Sequence, residues 1–226
     1  MSAELRIVAL VFPNVTQLDL TGPVQFLSRV PGAAVDLVWH STDPVPTDSG
    51  FSIVPTASFA EAPQADVLMV PGGQGAFDIL DDQVAIDFVK HQAAGARYVT
   101  SVCTGAFVLG AAGLLSGRRA TTHWASHSML SLMGADPEEA RVVRDGNLIT
   151  GGGVTSGIDF ALTLAAELAG ADIARKIQLS MEYDPQPPFD AGSPTRPEAD
   201  QELVASLKAN YRAIREGLVQ AAAESR

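Results

Sequence analysis

The chain holds one cysteine, Cys103, in the run Thr100-Ser101-Val102-Cys103-Thr104-Gly105-Ala106. Tyr98 to Val102 reads as a short buried strand, and Gly105 to Leu115 as an apolar, alanine-rich helix. The thiol therefore stands at a strand-to-helix turn, the arrangement of a nucleophile elbow. The chemistry it suggests is nucleophilic. Unpaired N–H groups at a helix start favour the thiolate and lower a cysteine pKa from about 8.5 into the ~3.5–7.5 range. The amides that follow, beginning at Thr104, are placed to hold a developing anion. A lone cysteine is also a common core residue. Its place at the carboxyl end of a strand, where open α/β sheets bind ligands, favours catalysis.

Asp19 is the second candidate, in Gln17-Leu18-Asp19-Leu20-Thr21-Gly22-Pro23. It lies past the first strand and ahead of the helix that follows. An acid between leucines at such an edge is partly desolvated, which raises its pKa and lets it donate a proton to a thiolate. The plainer reading is an ordinary helix-start Asp. Two glycine loops, Pro71-Gly72-Gly73-Gln74-Gly75 and Gly151-Gly152-Gly153, end further strands. Glycine lets a backbone N–H face a ligand, so Gly72, Gly73, Gly152 and Gly153 are candidate substrate or oxyanion contacts. No Gly-Lys-Ser/Thr follows and Rossmann spacing is not met, which argues against a phosphate cradle. His123 and His127 stand four residues apart with no obvious third ligand, so no metal is expected. One is read as packed or hydrogen-bonded and the other as surface, while a histidine base for Cys103 stays open.

Five short apolar runs supply the strands that position these groups: Ile7 to Phe12, Val35 to Trp39, Val67 to Val70, Tyr98 to Val102 and Leu148 to Thr150. Helical patterns alternate with them. They run from about Gly22 to Arg29 behind a Thr21 cap, from Asp81 or Asp82 to about Ala94, and from Gly105 to Leu115. Three more cover Ile158 to Leu168, Ile173 to Tyr183 and about Ala199 to Ala223. Phe51 to Val54 and Arg141 to Thr150 read as antiparallel edge pieces, the second through the hairpin signal Asp145-Gly146. The alternation predicts an α/β sandwich on a mostly parallel sheet.

The chain has 226 residues, of which 46% are hydrophobic and 18% charged, enough for one large core. A single domain over 1–226 is expected, with 184–226 a proline-rich loop and a C-terminal helix packed on it. Lys and Arg number 15 against 26 Asp and Glu, a formal net charge of −11 that repels nucleic-acid backbones. One cysteine excludes an internal disulfide and a cysteine zinc cluster and suits a reducing cytoplasm. No targeting pattern and no apolar run of about 18 residues is visible, so a soluble, cytoplasmic protein without membrane contact is expected.

The elbow together with Pro71-Gly72-Gly73 resembles the ThiJ/PfpI branch of the class I glutamine amidotransferase-like superfamily. Within it the chain is most similar to the isocyanide (isonitrile) hydratases. That likeness is carried by Gln17 to Pro23, by Arg118-Arg119-Ala120-Thr121-Thr122-His123-Trp124 and by Val143 to Gly153. Glu182-Tyr183, Pro187-Pro188-Phe189 and Ala191-Gly192-Ser193-Pro194 extend it over nearly the whole chain.

The resemblance implies a flavodoxin-like core, a homodimer and no cofactor. It also implies addition of water to an isocyanide carbon to give an N-substituted formamide. Cys103 maps to the nucleophile, Asp19 to the acid beside it and Thr104 to the residue after the nucleophile. Thiolate attack on the isocyanide carbon would give a thioimidate, with Asp19 supplying the proton and then helping to activate water. Thr104 stands where peptidase and amidotransferase patterns place a histidine at or near the triad position, and Asp19 where many relatives carry Glu. Both departures argue against peptidase or glutaminase chemistry. The competing readings are a glyoxalase-type enzyme, the sensor domain of a regulator resembling the AraC family, and a redox sensor using Cys103.

Overall fold

The structure, a computed structural model, describes residues 5–225. Seven strands form the central sheet: β1 (Leu5–Leu10), β2 (Ala33–Trp39), β3 (Ala57–Ser58), β4 (Val67–Val70), β5 (Tyr98–Val102), β6 (Val142–Asp145) and β7 (Leu148–Gly151). Their spatial order is β6-β7-β5-β4-β1-β2-β3. All neighbours are parallel except β6 and β7. That pair is a hairpin in which Asp145 faces Leu148 across a turn containing Gly146 at φ 59°. The Asp-Gly signal works because the turn needs a positive φ that glycine adopts without strain.

The central strands β1 and β4 are buried along most of their length, as expected of strands covered on both faces. Ile7 pairs with Val35 on one side and Val67 on the other, and Val70 pairs with Ser101. From β1 the chain builds outward to β2 and β3, and from β4 outward to β5 and β7. The winding therefore reverses between β1 and β4, and the crevice beyond their carboxyl ends is where such a sheet takes a ligand.

The helices are α1 (Gln17–Leu27), a one-turn α2 (Gly75–Asp78), α3 (Gln83–Gly95), α4 (Gly105–Ala111), α5 (Ser156–Ala169), α6 (Ala171–Ser180) and α7 (Gln201–Glu224). A 3-10 stretch covers Trp124–Met133. α1, α5 and α6 pack together, while α7 packs on the 3-10 stretch, α4 and α2. Gly157 lets α5 close on α1, since a Cβ there would stand 3.0 Å from Pro23 Cγ. One contiguous apolar core runs from Ile7 through Phe107 and Phe160 to Val219 and Ala222 of α7. Among the described residues no helix is long and apolar enough to cross a membrane.

Three local readings are corrected. α1 begins at Gln17 and not at Gly22, so Thr21 lies inside it and bonds back to the Gln17 carbonyl at 3.0 Å. Asp19 is therefore in the first turn of α1 and not ahead of it. The helix after Cys103 ends at Ala111, short of Leu115, with Gly113 following at φ 77°. Ser52–Ile53 pairs antiparallel with Val45–Pro46 in a separate small sheet, not on the edge of the main one.

Candidate active site

Cys103 has φ 55°, a left-handed backbone that non-glycine residues rarely adopt. Three bonds hold it there. Its N–H is shared between the carbonyls of Gly151 (3.0 Å) and Gly152 (2.8 Å), and its own carbonyl accepts from the buried Thr122 hydroxyl at 2.7 Å. Gly105 completes the elbow, because α4 starts so close to the Val70 and Pro71 carbonyls that no Cβ fits. The turn leaves the thiol only 5% exposed, at the floor of a cavity of about 330 Å³.

The loops after β1 and β4 are sewn together beside it. Thr16 N–H donates to the Gly72 carbonyl at 2.9 Å, and Val15 bridges to Gly73. The link fixes the start of α1 and so fixes Asp19, which is fully buried. Asp19 Oδ2 accepts from Gly72 N–H at 3.1 Å. Oδ1 is buried without a conventional hydrogen bond. Burial raises the Asp19 carboxyl from 3.8 to about 7, against the lowering effects of Cys103 and the Gly72 N–H. The carboxyl beside Cys103 therefore holds its proton into the neutral range.

The thiol behaves differently from the expectation of a cysteine lowered by its helix. Burial pushes Cys103 up, the Asp19 charge pushes it further, and the Thr104 N–H only partly offsets them. The two groups form one coupled acid pair, whose protons leave in two steps. A thiolate arises here when the remaining proton sits on Asp19. Thr104, 2% exposed, is tied to the glycine loop: its hydroxyl accepts from Gly73 N–H and donates to the Gly73 carbonyl, both at 2.9 Å.

Three of the four glycines, Gly72, Gly73 and Gly152, do not offer the open amides that their sequence suggests. Gly72 N–H is used by Asp19, Gly73 N–H by Thr104, and Gly152 N–H by the Arg141 carbonyl at 3.0 Å. Their function is close approach. A Cβ on Gly72 would lie 2.6 Å from Thr104 N and 2.7 Å from Asp19 Oδ2, and one on Gly153 would lie 2.8 Å from His123 Cδ2.

His123 lines the cavity with Cys103, Thr104, Gly73 and Gln74. Burial, then the Arg215 charge, lowers it to about 4, so it is neutral at pH 7 and a poor proton acceptor for the thiol. Its Nδ1 accepts from Ala125 N–H at 3.3 Å, which assigns the ring proton to Nε2. His127 is outside the cavity lining, with a buried Nε2 that has no hydrogen-bond partner among the described residues. Among the described residues no three His, Cys, Asp or Glu side chains converge as a metal site.

Sequence reasoning missed Thr16, Asp48, Val154, Tyr211 and Arg215 of the lining. Asp48 accepts from the Thr16 hydroxyl at 2.7 Å, and its charge helps to raise Asp19. Tyr211 and Arg215 enter from α7, more than a hundred positions after the elbow. Four residues apart on one helix face, a Tyr and an Arg carry no sequence signal that separates them from a solvated stripe.

Fold and elbow together define an α/β protein with a buried cysteine at a strand-to-helix turn beside a buried carboxyl. Residues 5–167 match the DJ-1/PfpI family, and the chain belongs to that family. It is 57% identical over 196 residues to the isonitrile hydratase of Pseudomonas putida, covering 86% of each chain. A crystal structure of a ThiJ/PfpI family protein from Pseudomonas syringae superposes with a TM-score of 0.92 at 43% identity, over 98% of this chain and 91% of that one. The Parkinson disease protein 7 homolog of Danio rerio is 28% identical over 78% of this chain and 96% of its own.

Proposed function

We propose that the protein is an isonitrile hydratase that converts an isocyanide and water into an N-substituted formamide, with Cys103 as nucleophile and Asp19 as the acid–base group. The observation that carries this reading is the buried Asp19–Cys103 pair. A thiolate is available there only beside a protonated carboxyl, the combination that an electrophilic carbon lacking a proton requires. The 57% identity to the Pseudomonas putida enzyme supports the substrate class.

The steps balance as follows. Cys103 Sγ forms a bond to the isocyanide carbon, and Asp19 delivers its proton to that carbon, leaving a thioimidate and an Asp19 carboxylate. The carboxylate takes a proton from water as the water oxygen bonds to the same carbon, and that proton passes to nitrogen as the C=N π pair moves there. Asp19 then removes the hydroxyl proton, the C=O bond forms, and the C–S bond breaks with its electron pair returning to sulfur. Formamide leaves, and the thiolate and protonated carboxyl are restored.

Thr104 holds the glycine loop and offers its N–H to the sulfur, while Gly72, Gly73 and Gly153 let the loops close on the reacting groups. Exposed Leu179, Phe189, Leu203, Ile214 and Leu218 support a homodimer as part of the same reading. The test is incubation with an alkyl or aryl isocyanide and detection of the formamide by NMR or mass spectrometry. Absence of formamide from folded protein would reject the assignment.

A further inference from the structure

Arg215 is an unusual residue to find at the wall of this cavity. It is 7% exposed and has no carboxylate within ion-pair distance among the described residues. A buried cation without an anion is costly to keep. It is nevertheless held firmly. Its guanidinium carbon lies 3.9 Å from the centre of the Tyr211 ring and 4.7 Å from that of Phe77. Nε donates to Gln74 Oε1 at 3.2 Å and Nη1 to Ser126 Oγ at 3.0 Å. Gln74 is itself oriented, since its Nε2 donates to Asp78 Oδ1 at 3.2 Å. Nη2 has no hydrogen-bond partner among the described residues, and the side chain lines the cavity that holds Cys103.

The reaction proposed above needs a hydrogen-bond donor at the reacting oxygen. When the tetrahedral adduct collapses, negative charge develops on the oxygen that came from water. The amides of Gly72, Gly73 and Gly152 are already used, and Gln74 Nε2 is given to Asp78. The Thr16 hydroxyl is given to Asp48. Of the side-chain donors lining the cavity, Arg215, the Tyr211 hydroxyl and the Nε2–H of neutral His123 stand on the α7 side, and Arg215 alone carries a charge, which His123 is close enough to feel.

We propose that Arg215, assisted by His123 Nε2–H, holds the water-derived oxygen during breakdown of the Cys103 adduct. This makes both catalytic residues of the second half-reaction, and it rests on the hydratase reading. Preorganised donors of this kind act where charge appears and need no rearrangement when it does. Formation of the thioimidate places no charge on oxygen, so the first half-reaction should be far less sensitive to Arg215.

The experiment separates the two halves. Wild type, Arg215→Met, Arg215→Lys and His123→Phe are mixed with excess isocyanide, and the mass of Cys103-containing protein and the formamide yield are followed with time. Iodoacetamide alkylation of Cys103 is measured in parallel. The expected result for Arg215→Met is accumulation of an adduct of substrate mass, with formamide release slowed roughly 10²–10³-fold and alkylation within about 3-fold of wild type. Arg215→Lys should recover part of the release rate, and His123→Phe should show a smaller loss of the same kind.

Equal release rates in wild type and Arg215→Met would overturn the proposal. So would a fall in alkylation parallel to the fall in turnover, which would place Arg215 on the sulfur. Should Arg215→Met not fold, Arg215→Lys and His123→Phe decide by the same criterion. Wild type that makes no formamide would be a different result, since it rejects the hydratase reading itself.

Discussion

Gly73 and Thr104 bond to each other twice, through one hydroxyl that accepts from the Gly73 N–H and donates to its carbonyl. The two residues lie 31 positions apart, on loops that leave neighbouring strands β4 and β5. The clamp sets the distance between the strand that leads into Cys103 and the loop that binds Asp19. Thr104→Val removes both bonds while keeping the shape, and it should lower kcat/KM about 10-fold or more with a stability loss of roughly 1–3 kcal/mol. Steady-state kinetics with denaturant melts would check it, and an unchanged kcat/KM would show the clamp to be irrelevant to chemistry.

Cys103→Ala and Cys103→Ser should abolish formamide production and leave the circular dichroism spectrum unchanged. Serine keeps a hydroxyl, but its much higher pKa withholds the anion that attacks. A folded variant that keeps more than a small percentage of activity would remove Cys103 from the mechanism.

Asp19→Asn keeps the shape and a donor but has no transferable proton. Turnover should fall on the order of 10²-fold or more. The thiol should still alkylate with iodoacetamide, because the carboxylate charge that opposes the thiolate is gone. Near-normal turnover would show that Asp19 only positions the sulfur.

The pH dependence follows from the same pair. Below about 7 both groups keep their protons, and no thiolate is present. Above it one proton is shared, and the form with thiolate and carboxylic acid becomes accessible. The rate of kcat/KM should therefore rise with pH through a midpoint near 7, and this limb should vanish in residual Asp19→Asn activity.

Stability should run the other way. The folded carboxyl at about 7 lies above its ordinary 3.8, so its contribution is complete below 3.8 and is lost as pH rises through about 7. Asp19→Asn, neutral throughout, should gain relative to wild type between those values, by on the order of 4 kcal/mol at the alkaline end. Urea melts at pH 5 and pH 8.5 would test this, and an equal difference at both would contradict a raised carboxyl.

Most of the parallel sheet was legible in the residues because buried strands are short unbroken apolar runs. Val67 to Val70 and Tyr98 to Val102 match β4 and β5 at both ends. Cys103 and Asp19 could be singled out because strand ends and desolvating leucines are local features. The start of α1 was misplaced, since Pro23 suits a first helical turn and here lies inside the helix. The use of the glycine amides was not legible, because it depends on which loop lies beside which. Neither was the α7 wall, since packing, and not spacing, turns Tyr211 and Arg215 inward.

The proposed homodimer makes a further prediction. Sedimentation at micromolar concentration should give twice the chain mass, and aspartate at Leu203 and Ile214 should shift it toward one. A single-chain mass for the unmodified protein would refute pairing.

The family match ends at residue 167, yet the wall formed by Tyr211 and Arg215 stands on the helix from Gln201 to Glu224. Cys103, Asp19 and the clamp thus lie within the residues matched to the family, while the far wall of the cavity belongs to a segment beyond them. The step that bonds carbon to sulfur and the far wall of the cavity are consequently carried by different segments of this protein. Exchange of its last helix for that of a relative should change both the electrophile accepted and, through Arg215, the rate of adduct breakdown, while the bonds that hold Cys103 stay intact.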